Sequence, residues 1–252
     1  PRDYLHSGKM LIQQVQYYAS TKKRIVIARA FVDGASFNMM KNLKYYNNRN
    51  HDLEGVIERI ATLKDQIGSA SAIDQLMGIE GNIRIAYYDA FDIILKDLKM
   101  EGRSKQPPKN EVNALISFGN MLCYTLCLKH IYHTQMNPTI SYLHSPGERR
   151  YSLALDIAEV FKPLLVDRTI FKLLNKRTLQ AKDFDVKTNR IRLKDGGKKK
   201  FVQAWEERLS ETIKHRGLGR SVSYSHLVKL ECYKLAKHLL GIQTYQPFKA
   251  WW

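Results

Sequence analysis

Proline placement limits what this chain can fold into more than any other feature. Seven prolines occur in 252 residues, at positions 1, 107, 108, 138, 146, 163 and 247, so none interrupts residues 2–106. Proline lacks an amide N–H and clashes with the turn before it, so it ends or bends helices. Its absence over so long a stretch leaves room for extended helices, and the apolar residues there recur at three- and four-residue spacing. The spacing predicts a short helix over 11–18, a long one over 25–46 with Gly34 tolerated inside it, and a third over 52–67 with Asp52 as its N-cap. Ser71, with Asp74 three residues on, fits the cap of a helix reaching about residue 99. The Pro107-Pro108 pair lies in a polar loop over 102–109, and residues 111–132, nearly all apolar, read as a buried central helix. Residues 151–180 read as a long helix kinked at Pro163, and 201–214 and 224–240 complete the set.

One segment departs from this spacing. Residues 184–193 partly alternate apolar and charged side chains, and Asp195-Gly196-Gly197 comes next as a turn. The expected fold class is therefore mainly α, a single multi-helix domain with at most a short β-hairpin near 184–195. No internal repeat or low-complexity tract is visible. No run of about 18 apolar residues suggests a membrane span, and no apolar leader suggests secretion. The cysteines Cys123, Cys127 and Cys232 are odd in number, which argues against a disulfide framework and for a reducing compartment.

Charge narrows the partner. The chain carries 41 Lys and Arg against 24 Asp and Glu, a net +17. Residues 101–252 hold 27 of the basic and 13 of the acidic residues, and residues 162–200 alone hold 13 and 4. A folded chain so basic calls for a polyanion, nucleic acid first and an acidic membrane surface second. The run Lys198-Lys199-Lys200, with Arg190, Arg192 and Lys194 upstream, suits phosphate contacts. The aromatic stretch 246–252 is expected to dock on the helical body.

Two constellations could carry chemistry. Glu80 falls on the apolar stripe of its helix, between Leu76 and Ile83, where a carboxylate is costly unless it is paired or holds a metal. Arg84, four residues later, offers a structural ion pair, and spacing alone does not choose between that and a functional acid. The second is His144, on the Ser145-Pro146-Gly147 turn, with Asp156 and Glu159 beyond it on one helical face. A histidine with several carboxylates makes an N/O donor set suited to Mn²⁺ or Mg²⁺. Arg149, Arg150 and Lys162 flank it, as a phosphodiester would require. Two look-alikes fail. Cys123, Cys127, His130 and His133 span about 15 Å of one helix and cannot share one ion. His51-Asp52 lacks the partner histidines of a metal phosphohydrolase.

The longer motifs resemble a known family. Met77-Gly78-Ile79-Glu80-Gly81 with Tyr87-Tyr88, then Pro107-Pro108 and Asn113 through Asn120, then His144 through Pro163, resemble in order the motifs of the CRISPR-associated endonuclease/integrase, the universal adaptation nuclease of CRISPR systems. The resemblance implies that Glu80, His144 and Glu159 are the catalytic residues and ligands of Mn²⁺ or Mg²⁺, with Asp156 supporting them. It implies DNA contacts from Arg84, Arg149, Arg150 and Lys162, assigned by position and charge. The implied reaction is transesterification, in which a DNA 3′-hydroxyl attacks a phosphodiester at the end of a CRISPR repeat and so inserts a foreign fragment. The implied partners are double-stranded and branched DNA and a small ferredoxin-like nuclease, in the prokaryotic cytoplasm and without a membrane. Residues 1–8 resemble the end of an interdomain linker and 9–252 the helical domain. The family's N-terminal β domain, with its homodimer surface, is expected to lie outside this sequence. The competing reading is a non-catalytic basic helical protein that binds nucleic acid.

Overall fold

The computed structural model describes residues 7–104, 107–145, 147, 151–187 (of Lys187 the backbone only) and 190–251. Helix α1 (Gly8–Ala19) starts where the Ser7 hydroxyl accepts the Met10 amide at 3.2 Å. The extended residue Ser20 separates it from α2 (Thr21–Asn47), the 27-residue spine of the fold. The next two caps differ from expectation. Helix α3 (Glu54–Asp65) begins after Leu53 with no side-chain cap from Asp52, and the Leu53 amide donates to Asn47 Oδ1 at 3.0 Å. Helix α4 (Ile73–Asp89) starts after Ala72, and Ser71 donates its own amide to the Gln75 side chain at 3.0 Å instead of capping.

The expected helix to residue 99 ends early as well. After α4 comes only the short α5 (Phe91–Ile94), and the chain turns extended at Leu95. The cause is Asp92, whose carboxylate captures the amides of Met100 and Glu101 and folds the chain back. Helix α6 (Glu111–Tyr132), capped by Asn110, is the central helix, and its cysteines Cys123 and Cys127 are buried and free. Among the described residues it alone is long and apolar enough by composition to cross a membrane, and it packs against other helices of this fold.

Helix α7 (Ser152–Lys162) is buried along its whole length. Pro163 does more than kink the helix: the chain widens there into a π-turn (Pro163–Asp167) and resumes as α8 (Arg168–Asn175), short of residue 180. The hairpin is present as β1 (Phe184–Lys187) and β2 (Arg190–Leu193), paired antiparallel with Phe184 opposite Leu193. Asp195-Gly196-Gly197 opens α9 (Asp195–Ser210) and is no turn. A Cβ on Gly197 would stand 2.7 Å from Leu193 Cδ1, so the missing side chain lets the helix start press against the hairpin. The helix expected to run to residue 214 stops at Ser210. A second hairpin comes next, β3 (Thr212–Lys214) with β4 (Ser221–Ser223), and then α10 (Tyr224–Leu239).

The C-terminal stretch docks as expected. Tyr245 donates its hydroxyl to Glu231 at 2.6 Å, the Phe248 amide donates to the same oxygen at 2.9 Å, and the Ala250 amide donates to Asn38 Oδ1 at 2.9 Å. Phe248 stacks on Phe161 of α7 with ring centroids 5.7 Å apart. Phe31, Tyr87, Phe91, Phe161 and Phe171 are fully buried around α2, α4, α7 and α8, and each such ring contributes about 1.5–3 kcal/mol by leaving water.

Candidate active site

Helix α7 presents Asp156, Glu159 and Lys162 at three-residue steps, a spacing that keeps them on one face. Asp156 is fully buried. Its carboxylate accepts the amides of Tyr142, Leu143 and His144 at 2.6, 3.0 and 3.0 Å. It also accepts from His144 Nδ1 at 2.8 Å. One acid thus shapes the loop and sets the imidazole tautomer. The other ring nitrogen, Nε2, faces Glu159 Oε1 at 4.0 Å.

Glu159 is held from two more sides. Lys162 Nζ lies 2.5 Å from Oε1, and Arg84 donates to Oε2. The Glu80–Arg84 pair expected from spacing forms, with Nε donating to Glu80 Oε1 at 2.7 Å, and the same guanidinium reaches across to Glu159. Arg84 therefore joins two acids 79 positions apart in the chain. The structure brings together Glu80, Arg84, His144, Asp156, Glu159 and Lys162. Arg149 and Arg150 lie outside the described residues.

The electrostatics arise from this packing. Burial pushes the Glu159 carboxyl up, but the charges of Arg84, Lys162 and His144 outweigh it and hold the group well below the usual carboxylate range. Burial lowers Lys162, and Glu159 more than restores it, so the ammonium stays charged. Burial favours neutral His144, yet the bond and charge of Asp156, with Glu159 behind it, raise its pKa.

Two carboxylates and an imidazole with its lone pair on Nε2 suit a hard divalent cation such as Mn²⁺ or Mg²⁺, and the Asp156 bond to Nδ1 is the outer-shell support that metal-binding histidines have. In this arrangement no three acidic, His or Cys side chains among the described residues surround a common point within ligand reach. Glu80 is turned onto Arg84, and Glu159 onto Arg84 and Lys162. The donor set fits in its chemistry, and cations already balance its charge.

Sequence reasoning missed several neighbours. Tyr124 of α6 stacks under Lys162, with Nζ 4.8 Å from the ring centre. Arg103 reaches Asn113 Oδ1 at 2.8 Å and lies within hydrogen-bond reach of Tyr88. Asp167 is a third. Nothing in linear spacing connects these positions to Glu159. In the basic run, Lys198 pairs with Asp195 and Lys200 with Asp183, at 2.9 and 2.8 Å.

Comparison with known proteins gives a consistent result. The family model described as CRISPR associated protein Cas1 matches residues 1–207. A Fusobacterium nucleatum protein named CRISPR-associated endonuclease Cas1 is 50% identical over 253 aligned positions, covering all of this chain and 75% of that relative. The solved structure of a CAS1 protein from Thermotoga maritima superposes with a TM-score of 0.87 at 41% identity, over 97% of this chain and 75% of that one. A casposase bound to integration product shares the fold, with a TM-score of 0.84 at 20% identity, over 95% of this chain and 71% of that one.

Proposed function

The chain belongs to the CRISPR-associated Cas1 family, and from that membership we propose that it is a divalent-metal-dependent DNA endonuclease and integrase acting through Glu80, His144 and Glu159. One observation carries the assignment of residues: side chains from α4, the 141–145 loop and α7 converge on Glu159, which Arg84 links to Glu80 and which His144 Nε2 faces at 4.0 Å. Glu80, Glu159 and His144 Nε2 would hold the ion. When bound, the ion supplies Lewis-acid activation of a phosphodiester and stabilises charge on the attacked phosphate. Asp156 keeps the His144 proton on Nδ1 and its lone pair on Nε2. Arg84 and Lys162 place positive charge beside the phosphate, and Arg149 and Arg150 extend it.

The reaction is transesterification, in which a DNA 3′-hydroxyl displaces a phosphodiester at the edge of a repeat. Metal-dependent nicking uses the same atoms. Double-stranded and branched DNA, the small ferredoxin-like partner nuclease and a place in the prokaryotic cytoplasm belong to the same reading. So does the division into a linker over 1–8 and a helical domain over 9–252, with a β domain and its homodimer surface elsewhere in the family's architecture. The non-catalytic alternative is disfavoured by relatives named as endonucleases. The test is nicking of a branched DNA substrate in Mn²⁺ or Mg²⁺. Glu80→Gln, His144→Asn and Glu159→Gln are each expected to lower the rate at least about 100-fold with the helical circular dichroism unchanged. Full activity in excess EDTA would sink the proposal.

A further inference from the structure

Asp167 is buried in the π-turn, eight positions after Glu159, and the chemistry above makes no use of it. Its Oδ2 accepts the Tyr87 hydroxyl at 3.0 Å. Tyr87 stands seven residues beyond Glu80, two turns along the same face of α4 and about 10 Å away at 1.5 Å per residue. The Tyr87 oxygen in turn accepts from Asn42 Nδ2 of α2 at 2.8 Å. Asn42 also donates to the Pro163 carbonyl at 2.7 Å and accepts from Arg168 Nε at 2.7 Å. Asn42 thus grips both ends of the π-turn while Tyr87 and Asp167 join α4 to it. A π-turn holds one residue more than an α-turn, which rotates the side chains after it by about 100°. Such turns recur at functional sites, and this one directs Asp167 toward Tyr87.

Two ties therefore hold α4 to the helix carrying Glu159. The first, through Arg84, uses the carboxylates themselves and must change whenever those oxygens take another partner. The second, Tyr87 to Asp167, shares no atom with them. We propose that Tyr87 and Asp167 are positioning residues of the site: their hydrogen bond pins the register of α4 against α7 and so sets the separation of Glu80 from Glu159. The inference rests on the reading of Glu80, His144 and Glu159 as metal ligands. Burial pushes the Asp167 carboxyl up to about 7, and either protonation form leaves an oxygen for the Tyr87 hydroxyl, as an asparagine would.

The experiment titrates the folded full chain with Mn²⁺ alone, tracking the free ion by electron paramagnetic resonance. Melting temperatures and the kinetics of branched-DNA nicking are measured alongside. Tyr87→Phe removes one oxygen and keeps the ring; it is expected to weaken Mn²⁺ binding at least fivefold and to lower kcat with the KM for DNA unchanged. Asp167→Leu should do the same, and Asp167→Asn should restore binding to within twofold of the parent. If Asp167→Leu does not fold, the Phe and Asn variants carry the test. Parental Mn²⁺ binding in Tyr87→Phe, in a series where Glu159→Gln abolishes it, would overturn the positioning role and leave the metal-site reading intact. A parent chain with no Mn²⁺ binding that Glu159→Gln removes would overturn both.

Discussion

Asp156 holds His144 twice, through the backbone amide at 3.0 Å and through ring Nδ1 at 2.8 Å. The fold thereby fixes both where the histidine sits and which nitrogen it offers. Asp156→Asn keeps the shape but loses the charge that orients the ring. Nicking should fall about 10- to 100-fold, the range for outer-shell partners of metal-bound histidines. Asp156→Ala leaves three buried amides without an acceptor, each worth about 1–3 kcal/mol, so thermal denaturation should show a far larger drop in melting temperature than for Asp156→Asn.

Arg84 neutralises Glu80 and Glu159 together. Removing one partner of a buried ion pair costs about 3–5 kcal/mol, because the remaining charges stay buried. Arg84→Ala is expected to lose stability on that scale in metal-free buffer. Added Mn²⁺ should raise its melting temperature more than that of the parent, and equal shifts for the two proteins would count against the shared-acid arrangement.

Gly34 of α2 lies under Pro247. A Cβ there would stand 2.6 Å from Pro247 Cβ, so Gly34→Ala must push the C-terminal stretch away. Overpacking of this kind costs about 1–3 kcal/mol, against about 1 kcal/mol gained in helix propensity. Net destabilisation is expected in urea denaturation, relieved by adding Pro247→Gly.

His130 is a pH-dependent weak point. Burial, with the charge of Lys129 beside it, holds the ring down at about 4, against about 6.5 in an unfolded chain. Between those values the unfolded chain binds the extra proton, so stability is unaffected above about pH 6.5 and falls as the pH drops toward 4. His130→Gln should flatten that slope by up to about one proton in urea titrations at pH 7, 6 and 5.

The basic run on α9 is tested by salt. Lys200 engages the buried Asp183, so it is left in place. The double variant Lys198→Ala/Lys199→Ala should reduce the slope of log K for DNA against log salt by up to about 2, with Mn²⁺ binding unchanged.

The helices are legible in the sequence where one apolar face runs without interruption. Residues 111–132 coincide with α6 because Asn110 caps its start, the loop prolines precede it and its buried face is continuous. The caps expected at Asp52 and Ser71 fail because each helix starts one residue later, after Leu53 and Ala72, with no side-chain cap. The second hairpin is invisible: Thr212-Ile213-Lys214 and Ser221-Val222-Ser223 each offer a single apolar residue. At the site, Arg84 meeting Glu80 is readable from four-residue spacing. Its second bond to Glu159 is not, because the two are 75 positions apart and only the packing of α4 near α7 brings them together. Asp167 is hidden for a related reason, since helical periodicity does not announce a π-turn.

The bond from the Ala250 amide to Asn38 spans 212 positions of chain, and Phe248 closes over Phe161 beside it. Contacts of such separation make the fold slow to complete on the ribosome. Helix α2 precedes the segment around Phe248 with the buried Asn38 amide, whose Nδ2 has the Val160 carbonyl as one acceptor but whose Oδ1 finds its donor only when Ala250 has been made. Until then the face that seats Phe248 and Pro247 is open, and nascent chains stalled before that point present it to each other. The interval between synthesis of α2 and of the segment around Phe248 is therefore the one most exposed to aggregation, and there a chaperone would have the most to cover.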